Sequence, residues 1–102
     1  MQNFRTYNLA VQLFRDCQRL KLRAPFKDQF ERASLSVVLN LAEGAAKPTA
    51  KDRARFYSIA FGSLRETQAI LALTGHTTQL QQSDAVAACL FRLIQSPGCQ
   101  RL

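Results

Sequence analysis

Tryptophan is absent from this 102-residue chain, histidine occurs once, and cysteine, proline and glycine number three, three and four. Each scarcity excludes something. Cys17, Cys89 and Cys99 are odd in number, at spacings that suit neither a disulfide framework nor a metal site, so the expected compartment is a reducing cytoplasm. The glycines stand singly at Gly44, Gly62, Gly75 and Gly98, which leaves no phosphate-cradling loop of the P-loop or dinucleotide type. Unbroken apolar runs are short. The longest, residues 85–91, falls far below the roughly 20 residues that cross a bilayer, and the first residues lack the apolar core of a secretory leader. A soluble protein with no membrane partner is expected.

What is present is apolar and basic. Hydrophobic residues make up 47% of the chain, too many for disorder, and the length suits one domain that buries roughly two-thirds of its unfolded surface. Lys and Arg total 14 against 7 Asp and Glu, a net charge of +7. Residues 1–55 hold 11 of the cations and 5 of the carboxylates, so an anionic partner should meet the first half.

Turn residues around Pro25, around Lys47-Pro48-Thr49 and across Thr74-Gly75-His76-Thr77-Thr78 divide the sequence into four segments of helical periodicity. The predicted helices cover residues 8–24, 26–46, 50–74 and 83–95. Thr49 is the expected N-cap of the third, with Asp52 in the capping-box position, and Gly75 stands where a left-handed residue ends it. Ser83 is the expected cap of the fourth. No strand pattern competes, and short connections favour an all-α, antiparallel up-down-up-down four-helix bundle over residues 1–102.

Two helices carry more apolar surface than one core contact needs. On the second, Phe30, Ala33, Val37 and Leu41 form one stripe, while Leu35 and Leu39 point the other way. On the third, Tyr57, Ala60, Leu64 and Leu71 form one stripe, and Ile59, Ile70 and Leu73 a second. Leu35, Leu39, Ile59, Ile70 and Leu73 are therefore the predicted subunit interface of a homo-oligomer. Gln29, Arg32, Ser36, Asn40 and Glu43 share a narrow polar face, and Asn40, Glu43 and Glu66 are read as structural polar groups.

Arg15, Arg19 and Arg23 fall on one line of the first predicted helix, about 6 Å apart along its axis, near the spacing of successive nucleic-acid phosphates. Lys47, Lys51 and Arg55 continue the basic character, and these six residues form the predicted nucleic-acid site. Catalysis is not expected. His76 is alone, neither Glu43 nor Glu66 has a His three residues on, Ser34, Ser36 and Ser63 lack a base, and no metal or cofactor site is legible.

Three stretches together resemble a known family: Gln29-Phe30-Glu31-Arg32-Ala33-Ser34-Leu35-Ser36, Asn40-Leu41-Ala42-Glu43-Gly44 and Ile59-Ala60-Phe61-Gly62-Ser63-Leu64-Arg65-Glu66. They are similar to the bacterial four-helix-bundle proteins encoded in intervening sequences of large-subunit ribosomal RNA genes. That family is related to Avd, the accessory variability protein of diversity-generating retroelements. The resemblance implies a homo-oligomer, typically a five-fold barrel of bundles, a pentamer. It also implies a structural role for Asn40 and Glu43 and close helix approach at Gly62. The resulting expectation is a non-enzymatic, homo-oligomeric module that binds RNA or DNA largely without regard to sequence. The alternative is a scaffold that docks an acidic protein partner such as a reverse transcriptase.

Overall fold

Along α2, buried Phe30, Ala33, Ser34, Val37, Leu41 and Gly44 recur at three- and four-residue steps, which puts them on one face of a helix. The same spacing organises the other segments. The computed structural model describes residues 4–98, which form four helices: α1 (Arg5–Cys17), α2 (Phe26–Ala45), α3 (Ala50–Leu73) and α4 (Thr77–Gln95). Their apolar stripes meet in one core in which Leu41, Leu64, Leu71, Leu90 and Leu93 are fully enclosed.

Each helix packs on the next and α4 returns to α1, so α1 and α3, and α2 and α4, stand diagonally across the bundle. Neighbours run antiparallel. Ser36 Oγ meets Ser63 Oγ at 2.7 Å and Arg32 approaches Glu66, so residue numbers rise along α2 as they fall along α3. Gln68 Nε2 donates to Ser83 Oγ at 2.9 Å, and Arg53 Nε donates to the Pro97 carbonyl at 3.1 Å, which sets α4 against α3 in the same sense. The bundle measures 40 × 20 × 20 Å. Its loop end carries the α1–α2 and α3–α4 connections. Its basal end carries the α2–α3 turn, the start of α1 and the finish of α4.

The predicted caps of α3 are present. Thr49 Oγ1 accepts the Asp52 amide at 3.2 Å, and Gly75 takes φ +76° while the His76 and Gly75 amides close on the Leu71 and Ala72 carbonyls. Two boundaries differ from expectation. α1 stops at Cys17 because the apolar spacing changes there. Leu20 and Leu22 pack against the core while Lys21 and Arg23 face water, the alternation of an extended segment. α4 starts at Thr77, not at Ser83. Ser83 is fully buried and bonds Gln68, and Gln82 Nε2 donates to Asp16 Oδ2 at 2.8 Å, so tertiary contacts hold this uncharged stretch as helix. No described helix is long and apolar enough to cross a membrane.

Candidate nucleic-acid interface

The α2–α3 turn brings Lys47, Lys51, Arg53 and Arg55 together. Phe56, half-buried, is bracketed by two of them: Lys47 Nζ lies 5.0 Å from its ring centroid and the Arg55 guanidinium 4.5 Å. Lys47 also pairs with Glu43 at 3.4 Å. Arg53 does different work. Its Nε and Nη1 donate to the Pro97 and Lys47 carbonyls, at 3.1 and 2.8 Å, so it ties the turn to the end of α4. With Arg5 opening α1 and Arg92 in the last turn of α4, the basal end collects six cations against Glu43 and Asp52. The positive pole of a helix favours anions. Lys51, Arg53 and Arg55 occupy the first two turns of α3 against that preference.

Arg15, Arg19 and Arg23 lie at the other end. Only Arg15 is on α1, since the helix ends at Cys17, so the expected line of three guanidinium groups on one helix does not exist. All three are exposed, and none of them lines the open groove of about 570 Å³ at this end, whose cations are Lys21 and Lys27 and whose carboxylate is Glu31. Its lining includes Phe14, Cys17, Leu20, Leu22, Lys21 and Lys27. The Cys17 thiol is pushed up to about 11, first by burial and then by the Asp16 carboxylate beside it, which leaves it protonated at neutral pH. Asp16 is occupied by amide donors from Gln12, at 3.0 Å, and Gln82. The six predicted site residues thus form two separate groups at opposite ends of the bundle.

The other predicted sites also divide. Leu35, Leu39, Ile59 and Leu73 stand 42, 56, 44 and 74% exposed, whereas Ile70 is buried in the core and offers nothing to an interface. Its neighbour Leu71 is buried too, so the apolar arc of α3 wraps further into the bundle than two separate stripes imply. Asn40 donates to the Ser36 carbonyl and Oγ at 2.9 and 3.0 Å, and through the Ser36–Ser63 contact it joins a polar seam between α2 and α3. Glu43 and Glu66 are exposed, and each pairs with a cation, Lys47 and Arg32, in surface ion pairs of little energetic weight. Gly62 makes no close approach within the chain, since an added Cβ meets nothing within 4 Å. Gly44 makes it instead, with Tyr57 Cε1 only 2.6 Å from such a Cβ. Sequence reasoning missed three things here: Phe56 as the partner of two cations, the structural use of Arg53, and the Gln68–Ser83 bond. The first two were detectable as four cations followed directly by an aromatic within the ten residues 47–56.

Among the described residues no cluster of His, Cys, Asp and Glu could hold a metal ion; Cys99 lies outside them. An all-helical bundle with densely basic ends defines a class of small basic four-helix proteins. Within that class the chain belongs to the 23S rRNA-intervening sequence protein family, whose profile matches residues 2–90. No curated protein sequence matches it significantly.

Proposed function

We propose that this protein is a non-catalytic, homo-oligomeric, cytoplasmic module that binds RNA or DNA through its basal end. One observation carries the reading: six cations and two carboxylates share that end, with Lys47 and Arg55 held over Phe56 and three cations set against the field of α3. A phosphate backbone would relieve both the mutual repulsion and the unfavourable helix field. Lys47, Lys51 and Arg55 are the principal phosphate contacts, and Arg15, Arg19 and Arg23 form a second group at the loop end, which also carries Asp16, Asp28 and Glu31. Ribosomal RNA in the family's name supports a nucleic-acid partner. No side chain here has the pattern of a base reader, so binding is largely sequence-independent. The exposed Leu35, Leu39, Ile59 and Leu73 support self-association, and the family resemblance points to five copies. Repetition then multiplies weak basic patches by effective concentration.

The test is fluorescence anisotropy of unrelated RNA and DNA oligonucleotides across a salt titration. Wild type should bind with affinity that falls steeply as salt rises, and Lys47/Lys51/Arg55→Gln should flatten the slope by about two to three counterions. Arg15/Arg19/Arg23→Gln should flatten it less. Absence of binding at low salt overturns the reading in favour of a scaffold that docks an acidic protein; equal slopes for the three proteins overturn the site.

A further inference from the structure

Resting on the nucleic-acid reading, we infer that the basal end takes single-stranded nucleic acid, with one unpaired base stacked on the Phe56 ring. Most aromatic rings of the bundle have an inward task. Phe4, Tyr7, Phe26 and Phe61 pack against the core, and Phe30 and Tyr57 are part of it. Phe56 is not among them. Its Cβ lies 3.1 Å from the point that a Gly44 side chain would occupy, which plants the root of the ring against α2, and the ring itself is covered by cations. A half-buried phenyl group held at the surface between Lys47, Lys51 and Arg55 is costly to hydrate and takes no part in the core.

The two cations on the ring are held differently. Lys47 has a second partner, Glu43, 3.4 Å away, so its ammonium can leave the ring without losing every counter-charge. Arg55 is exposed and has no carboxylate partner among the described residues. A base that slides onto the ring surface under Lys47 exchanges a cation–π contact for a stacked one. The displaced ammonium, with Lys51 and Arg55, then meets the phosphates on either side of that base. Duplex cannot use the ring in this way. Its bases are already stacked on one another, and reaching them through a groove takes a helix or ribbon that enters it. The basal end is blunt, a surface 20 Å across made of helix ends and a turn, against a major groove roughly 12 Å wide. A duplex therefore meets charge alone, whereas a single strand meets charge and stacking. Every base has a flat face, so stacking leaves binding independent of sequence.

Fluorescence anisotropy with three labelled probes separates the two contributions: an oligothymidine, an abasic strand of the same length, and a duplex of that length. Phe56→Leu should weaken binding of the oligothymidine about tenfold and leave the abasic strand and the duplex within about twofold of wild type. Phe56→Trp should keep the wild-type affinity. The chain has no tryptophan of its own, so the single indole should be quenched by oligothymidine and not by the abasic strand. Failure of wild type to bind any probe overturns the nucleic-acid reading and this inference with it. Where wild type binds, three results overturn the stacking alone: Phe56→Leu that matches wild type on oligothymidine, equal loss on all three probes, or oligothymidine and abasic strand bound equally by wild type. Should Phe56→Leu lose its helical circular dichroism, the wild-type comparison of those two strands decides, together with the quenching of Phe56→Trp.

Discussion

Gly44 shows how much one missing carbon decides. A Cβ there would enter the Tyr57 ring and lie 3.1 Å from Phe56 Cβ, and both neighbours are fixed by packing at the basal end. Gly44→Ala should therefore destabilise by about 1–3 kcal/mol despite the better helix propensity of alanine, seen as a lower melting temperature by circular dichroism. Cys17 offers a titration instead. Its thiol, ordinarily near 9, is raised to about 11, and burial also raises the Tyr57 hydroxyl. The folded chain holds these protons after the unfolded chain has released them. Stability from this source is full below pH 9 and is lost as the pH rises toward 11. Thermal melts between pH 8 and pH 11 should fall in that window, and Cys17→Ala should reduce the slope.

Elements were legible where their ends are made of short-range chemistry. α2 and α3 match their expected bounds closely because Pro25, Thr49 and Gly75 act within a few residues of themselves. α1 and α4 failed at ends held by distant partners. Leu20 and Leu22 leave the helix because they can reach the core as an extended segment, and the stretch from Thr77 joins α4 where Gln82 bonds Asp16 and Ser83 bonds Gln68. For the same reason the Lys47, Lys51 and Arg55 group was readable, being local, while its separation from Arg15, Arg19 and Arg23 depends on which end each helix reaches. The α2–α3 turn depends on Arg53 for its attachment to the last residues of α4. Arg53→Ala should leave the Pro97 and Lys47 carbonyls without their donor and cost about 1–3 kcal/mol by thermal melt. Binding per folded molecule should fall less than in Lys47/Lys51/Arg55→Gln, since Arg53 spends its guanidinium on the protein itself.

At the scale of the whole molecule, the fold brings its first and last described stretches together at the basal end. Phe4 meets Tyr57 edge-on, with ring centroids 6.2 Å apart, and Pro97 sits against Arg53, one turn before Tyr57 on α3. The first and last described stretches are thus close neighbours, while the Gly75 turn lies exposed at the opposite pole. The polypeptide is topologically almost a loop: a short peptide could splice those stretches together and new ends be opened at Gly75 without uprooting a core residue. A tag attached in the rearranged chain would then leave from the pole away from the basic surface, free of the phosphate it is meant to report.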